Sequence, residues 1–234
     1  MLCKIADLIV EVPEENGLAA RAEKYKCNDT TVDIVICPQL YEPEYWPKLS
    51  DNDMAYMESG VQFYSELLRC DGMMLHASAV ELDGRAYLFF GSCGAGKSTH
   101  TRLWQQVFGE NAQVFNDDKP ALRYLNNKWY AFGTPWCGKD GINRNQKVPL
   151  AGICHLKQAN VNRIRRLGTV EATQKIVMQT PRIFKNQDKL ELMLCNLDKL
   201  VKQIPIFELE NRPEPAAVQL SYKTMCEAAE VNCL

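Results

Sequence analysis

The sequence of 234 residues carries 27 lysines and arginines against 29 aspartates and glutamates, a formal net charge of −2, and 46% of its residues are hydrophobic. This near-neutral balance excludes an overall basic field that would attract nucleic acid or anionic lipid, so we expect no nucleic-acid partner. Length and composition are those of a globular protein with one domain, or with a small unit attached to a larger one.

The N-terminal residues and the cysteines favour a cytoplasmic protein. Residues 1–7 lack the uncharged apolar run of a signal peptide, and no window of the chain approaches the ~18 apolar residues of a membrane span. None of the ten cysteines falls in a C-x-x-C pair, which argues against zinc and against a disulfide framework. We therefore expect no membrane contact and mostly reduced, buried thiols.

Hydrophobic periodicity and turn residues predict an α/β protein with a mixed sheet. We expect a small β-rich N-terminal unit with a helix in residues 1–69, and a larger domain in residues 70–234 whose last third is helical. In chain order, the predicted elements are strands at 5–12 and 31–36, an irregular connector at 38–50, a helix at 54–68, strands at 73–82 and 85–90, a helix at 98–108, strands at 113–115, 121–125, 129–132 and 149–156, helices at 169–180 and 190–204, a strand at 206–209 and a helix at 222–230.

The most informative motif follows an antiparallel hairpin that turns at Asp83-Gly84. Residues 91–99 satisfy the pattern G-x-x-x-x-G-K-S/T in full, between a strand and a helix. Glycines in such a loop let backbone N–H groups face phosphate oxygens, and the helix adds the positive end of its dipole. We expect Lys97 to reach the β- and γ-phosphates of ATP and Ser98 to hold Mg²⁺. The residues predicted to hold the triphosphate are Gly91, Ser92, Cys93, Gly94, Ala95, Gly96, Lys97, Ser98 and Thr99.

Three further clusters have the polar chemistry that phosphoryl transfer needs. Asp117 and Asp118 end the strand predicted at 113–115, where one carboxylate can serve as a general base and the other can hold Mg²⁺. His76 lies one hairpin arm before the loop, and Thr134-Pro135-Trp136 follows a strand. Each cluster has a plainer alternative: a solvated turn for the acids, a core position for the histidine, and a tight turn around a packed indole for the third.

The order of these motifs resembles the catalytic domain of HPr kinase/phosphorylase and, more distantly, ATP-dependent phosphoenolpyruvate carboxykinase. Within that superfamily it resembles a group of small bacterial carboxykinase-like proteins that share the runs LHASAV, GKSTHTRLW, DKP and GTPW. The resemblance is strong over residues 70–160. It implies an HPr-kinase/carboxykinase-like core whose phosphate loop follows antiparallel strands, and it raises the possibility of a homo-oligomer.

The resemblance also implies site residues. Asp117 would be the general base, Lys97 would contact the phosphates, and Ser98 and Asp118 would bind Mg²⁺. His76 would lie beside the reacting phosphate and exchange a proton with Asp117. Residues 134–139 would line the opposite side of the site.

These observations favour a Mg²⁺-dependent kinase that transfers the γ-phosphate of ATP to a serine or threonine hydroxyl of a protein, a peptide or a small molecule. One alternative is a nucleotide-binding regulatory module with little turnover. A carboxykinase is a weaker alternative, because the substrate arginines of that family are not identifiable here. Cys93 lies inside the loop, where the helix N-terminus could activate its thiol, so a redox-sensing role is a further hypothesis.

Overall fold

The structure is a computed structural model, and it describes residues 1–14, 17–37, 50–181 and 186–231. Nearly all of the connector predicted at 38–50 lies outside the described residues. No helix in the described ranges is long and apolar enough to span a bilayer.

Twelve strands and six helices form the described part of the chain. The strands are β1 (Leu2–Ile5), β2 (Leu8–Glu11), β3 (Ile34–Val35), β4 (Gly72–Met74), β5 (Ala77–Leu82), β6 (Arg85–Phe90), β7 (Ala112–Asp118), β8 (Ala121–Leu125), β9 (Lys128–Phe132), β10 (Lys147–Gln158), β11 (Arg163–Arg166) and β12 (Ile206–Asn211). The helices are α1 (Gly17–Ala22), α2 (Asp51–Leu67), α3 (Lys97–Phe108), α4 (Thr169–Val177), α5 (Gln187–Gln203) and α6 (Pro215–Val231).

The main sheet is mixed, as the sequence predicts. Its strand order is β4-β8-β9-β10-β6-β5-β7, and β12 and β11 extend it from β10. Strand β6, which leads into residues 91–99, lies between the antiparallel strand β5 and the parallel strand β10. The predicted α/β class and the antiparallel hairpin before the loop are therefore confirmed.

Helices cover both faces of this sheet. On one face, α3 and α6 pack on side chains such as Phe89, through Trp104 and Val218. On the other face, α4 and α5 pack on side chains such as Phe90, through Ile176 and Leu197. Because alternate residues of β6 are buried on opposite faces, the strand is a continuous apolar run.

The N-terminal sheet has the order β1-β2-β3 and packs against α2. Its hydrophobic cluster also includes residues of the second predicted domain, among them Met74, Ala121 and Trp136. The two parts of the chain thus share buried surface, and a boundary between residues 69 and 70 stays a prediction.

Two predicted strands are broken by turns. The segment 5–12 belongs to a hairpin, β1 and β2, that turns at Ala6 and Asp7, with φ angles of 53° and 59°. The segment 73–82 is divided between β4, which pairs with β8, and β5, which pairs with β6 and β7. In the second case, the break at Leu75-His76 places the histidine at the end of the sheet.

Two further C-terminal features complete the fold. The basic run Arg163–Arg166 is strand β11 and pairs with β12. Gly168 is the N-cap of α4, and no side chain caps that helix.

Candidate functional site

The loop between β6 and α3 has the geometry of a phosphate-binding loop. Gly94 and Gly96 adopt φ angles of 78° and 93°, which glycine tolerates best. Gly96 is the N-cap of α3 and offers no side chain to cap it. The N–H groups of the first helical turn, which have no acceptor within the helix, are therefore available to an anion.

The loop lysine is folded back across its own loop. The Nζ atom of Lys97 donates to the backbone oxygens of Gly91, at 3.1 Å, and of Ser92, at 3.4 Å. To contact a phosphate, Lys97 has to exchange these carbonyl contacts for phosphate oxygens. Cys93 in this loop and Thr99 in the first turn of α3 are both exposed.

Asp117 contacts the phosphate loop directly. The Ser98 hydroxyl donates to Asp117 Oδ1 at 3.0 Å, and Asp117 itself is buried. One strand away, the Ser78 and Thr101 hydroxyls lie 2.8 Å apart and tie β5 to α3. The loop serine and a carboxylate from the acid-bearing strand therefore meet on the α3 face of the sheet.

Asp118 belongs to a separate charged group. His76 Nε2 lies 2.8 Å from Asp118 Oδ1, and the Lys119 ammonium donates to Asp118 Oδ2. Burial opposes ionisation of Asp118, but the hydrogen bond from His76 and the charge of Lys119 outweigh it and lower the pKa of Asp118 to about 2. The backbone N–H of His76 donates to Gln179 after α4, which fixes the histidine at this edge.

The histidine contact differs from the one that the resemblance implies. We expected His76 to exchange a proton with Asp117, but it contacts Asp118, while Asp117 contacts Ser98. The reason is strand geometry, because consecutive residues of a strand point to opposite faces. His76 follows the break before β5 and reaches only the acid on its own side.

Strand register brings these groups to one end of the sheet. Ala77 pairs with Phe90, the residue before the phosphate loop, and on its other side with Asp118. His76, the loop and the two acids therefore lie at the same end of three adjacent strands. The sequence clusters therefore converge.

Residues 134–139 were expected to line the site, but residues 134–137 are buried beside the acids. Trp136 is 1% exposed, stacks on Phe63 at 4.7 Å and donates its indole N–H to Ser59. Thr134 is fully buried. The packed-indole alternative is therefore correct for this segment. Lys139, the last residue of the expected lining, is exposed.

Asn116 is the supporting residue that the sequence argument missed. Its side chain is fully buried, donates to the backbone oxygens of Thr134 and Trp136, and accepts from the N–H of Lys119. A bond from the side chain of residue i to the N–H of residue i+3 is typical of asparagine in turns. The asparagine just before two aspartates was the available signal.

Gly138 lies against the backbone of the acid-bearing strand β7. Its N–H donates to the Asp117 carbonyl at 2.7 Å, and a Cβ atom on Gly138 would lie only 2.5 Å from that same oxygen. Only glycine therefore lets this segment run beside the acid-bearing strand. Arg102 of α3 pairs with Asp140 just beyond it, which links the segment to the loop helix.

Fold and site together define a mixed α/β protein with a G-x-x-x-x-G-K-S loop between an antiparallel hairpin and a helix. The chain belongs to the family described as SynChlorMet cassette protein ScmC, whose model matches residues 47–212. A solved structure that it resembles is the Hpr(Ser) kinase/phosphatase from Coxiella burnetii, with a TM-score of 0.39 and 12% identity, over 68% of this chain and 95% of that one. Comparison with curated proteins gives no match.

Proposed function

We propose that this protein is a Mg²⁺-dependent phosphotransferase that moves the γ-phosphate of ATP to a serine or threonine hydroxyl of a protein, peptide or small-molecule acceptor. The observation that carries the proposal is the meeting of two separate groups at one end of the sheet. One group is Ser98 with Asp117 beside the phosphate loop, and the other is His76 with Asp118. A protein that only binds nucleotide has no need of the second group.

Ser98 and Asp117 fit a magnesium ion. Both present oxygen atoms, which Mg²⁺ prefers, and the two atoms are 3.0 Å apart. Magnesium in nucleotide sites takes one or two protein ligands and fills its other positions with water and phosphate oxygens. When bound, the ion would neutralise charge on the phosphates.

Asp118 is the better candidate for the general base. Its low pKa keeps it ionised at neutral pH. Its partner in β5, Ala77, is buried on the face of the sheet away from α3. The acceptor hydroxyl gives its proton to Asp118, its oxygen bonds to the γ-phosphorus, and the bond from that phosphorus to the ADP oxygen breaks. This assignment exchanges the two roles that the family resemblance implies for Asp117 and Asp118.

His76 and Lys119 hold the base in place. Each contacts a different oxygen of Asp118, so the carboxylate has a fixed orientation. Lys97 would contribute charge on the phosphate side once it leaves its loop carbonyls. Asn116 keeps the turn after the acids in register through its bond to the Lys119 N–H.

The matched variants Asp117→Asn and Asp118→Asn test the two roles. Nucleotide binding is measured by calorimetry with and without Mg²⁺, and transfer is followed by mass spectrometry after incubation with ATP and a library of serine and threonine peptides. We expect Asp118→Asn to keep Mg²⁺-dependent ATP binding and to lose about 10²-fold or more in transfer rate. Asp117→Asn should instead weaken the Mg²⁺-dependent part of binding.

The exposed pair of Arg102 and Asp140 provides the control, because Asp140→Asn makes the same change outside the site. Normal transfer by Asp118→Asn would show that Asp118 is not the base. ATP binding without transfer to any hydroxyl acceptor would favour the regulatory module. Formation of phosphoenolpyruvate from oxaloacetate and ATP would favour a carboxykinase, and we expect none.

A further inference from the structure

The backbone of Asp118 has an unusual conformation that its neighbours must hold in place. Its φ angle is 155°, in a region that residues with a side chain rarely adopt. Such a conformation persists only where the surrounding contacts enforce it. Asp118 is paired in a short antiparallel bridge with Cys137. The contacts that hold the backbone of Cys137 therefore also act on Asp118.

Tyr56 of helix α2 holds the backbone of Cys137. The N–H of Cys137 donates to the Tyr56 hydroxyl at 2.8 Å. The same hydroxyl lies 3.2 Å from the Cys137 carbonyl and 3.3 Å from the Pro135 carbonyl, and it can donate to either. Burial raises the pKa of Tyr56 to about 12, so the hydroxyl keeps its proton at neutral pH. Tyr56 thus contacts both polar backbone groups of Cys137.

Arg21 of helix α1 fixes the Tyr56 hydroxyl in turn. The Nη1 atom of Arg21 donates to that hydroxyl at 2.7 Å and to the Cys137 carbonyl at 3.3 Å. The guanidinium also lies over the Tyr56 ring, 4.5 Å from its centroid. A hydroxyl can accept two hydrogen bonds and donate one. The bonds from Cys137 and Arg21, together with the bond to a carbonyl, use all three, so the hydroxyl has a fixed orientation.

Tyr64, about two turns further along α2, holds the chain on the other side of Asp118. Its buried hydroxyl donates to the Lys119 carbonyl and lies 2.9 Å from the Thr134 hydroxyl. One helix therefore contacts the backbone at the bridge partner of Asp118 and at the residue that follows Asp118.

We propose that Arg21 and Tyr56 are positioning residues, through which helices α1 and α2 aim the Asp118 carboxylate at the acceptor hydroxyl. Among the described residues, neither side chain hydrogen-bonds to the phosphate loop or to Asp117. Their loss should therefore disturb the base and spare nucleotide binding. The inference rests on the proposed function for the role of Asp118 as the base, whereas the contacts themselves can be tested without transfer.

The kinetic experiment compares Tyr56→Phe, which loses the hydroxyl and keeps the ring, with the matched control Tyr25→Phe. Tyr25 is fully buried, and its hydroxyl has no partner within the described ranges. Transfer is measured with Mg²⁺-ATP and the serine or threonine peptide that the parent phosphorylates fastest. We expect Tyr56→Phe to lower kcat about tenfold and to keep KM for Mg²⁺-ATP within about twofold. Tyr25→Phe should keep the parent kcat.

A second pair of variants tests Arg21 by conservative rescue. Arg21→Met should lower kcat about three- to tenfold, whereas Arg21→Lys keeps a charged donor and should recover most of that loss. Urea unfolding shows that each variant is folded under the assay conditions. An unchanged kcat in Tyr56→Phe, or an equal fall in Tyr25→Phe, would overturn the inference. So would a rise in KM for Mg²⁺-ATP as large as the fall in kcat, or a kcat for Arg21→Lys no higher than for Arg21→Met.

Amide hydrogen exchange, followed by NMR, tests the same contacts without transfer. The N–H groups on either side of Asp118, those of Asp117 and Lys119, are both hydrogen-bonded. Both should exchange about tenfold faster in Tyr56→Phe and at the parent rate in Tyr25→Phe. Equal exchange in all three proteins would overturn the inference whether or not transfer is found. Faster exchange in Tyr56→Phe, with no transfer by the parent, would support the positioning contacts and contradict the proposed function.

Discussion

Replacing Asp118 with asparagine should destabilise the protein in a manner that depends on pH. Burial opposes ionisation of Asp118, but contacts with His76 and Lys119 prevail and lower its pKa from 3.8 to about 2. Each unit by which folding lowers a pKa corresponds to about 1.4 kcal/mol of stability. The ionised carboxylate of Asp118 therefore adds about 2 kcal/mol to the free energy of unfolding at pH 7. Because its side chain is only 23% exposed, solvent screening removes little of this contribution.

Because folding lowers the pKa of Asp118, the stabilisation it provides is lost at low pH. A carboxylate whose pKa is lower in the folded state stabilises the protein above its unfolded pKa, near 3.8, and the contribution is lost as the pH falls through about 2. The parent protein and Asp118→Asn should therefore differ by about 2 kcal/mol between pH 5 and 7. The difference should shrink below pH 4.

Urea unfolding followed by circular dichroism at several pH values measures this difference, provided the two proteins have equal m-values. Asp140→Asn is the matched control, because its ion pair with Arg102 is half exposed and should contribute less than about 1 kcal/mol at any pH. A loss for Asp118→Asn that is equally large at pH 7 and pH 3 would assign the effect to packing. No loss at pH 7 would refute the ion-pair argument.

Other changes have equally specific expected outcomes. Gly138→Ala should lower Mg²⁺-dependent nucleotide binding in calorimetry, because its Cβ would lie 2.5 Å from the Asp117 carbonyl; binding at the parent affinity would contradict this. Trp136→Phe should lower the free energy of unfolding, measured with urea, by about 1–2 kcal/mol. The smaller ring loses the hydrogen bond to Ser59 and some volume but still stacks on Phe63. For Glu208, burial opposes ionisation, but Lys175 and Arg165 prevail and lower its pKa from 4.5 to about 2. Glu208→Gln should therefore cost about 3 kcal/mol at pH 7 and progressively less below pH 4.5.

The features that sequence reasoning located are those set by neighbouring residues. Strand β6, the phosphate loop and α3 follow one another directly along the chain. A local pattern of apolar residues, glycines and Lys97 was therefore sufficient to locate all three. The turn at Asp83-Gly84 has the same local character, with φ angles of 53° and 71°. The helix at 190–204 was found from its apolar stripe. The last helix, α6, begins at Pro215, earlier than the expected range of 222–230.

Features set by distant partners were not predictable in the same way. Residues 73–82 read as one strand, but β4 pairs with β8 and β5 pairs with β7, so the chain must break between them. That break places His76 at the site. Similarly, the side chain of Asn116 donates to the backbone oxygens of Thr134 and Trp136. These residues are distant in the sequence, so no local pattern could predict the contact.

The different contacts of the two acids have a single structural cause. In the pairing of β5 with β7, Ala79 faces Asn116 and Val80 faces Val114, so Phe115 is an extra residue in β7. Such a bulge reverses the faces of all residues beyond it, because side chains alternate along a strand. Val114 packs on the α3 face, and simple alternation from it would turn Asp118 toward α3.

With the bulge, Asp117 is turned toward α3 and reaches Ser98, while Asp118 is turned toward His76. The order of residues along the chain could identify two carboxylates beside the phosphate loop. It could not decide which one contacts Ser98, because that depends on one unpaired residue in the middle of the strand. The side to which each acid is turned is therefore a property of sheet register and not of the motif.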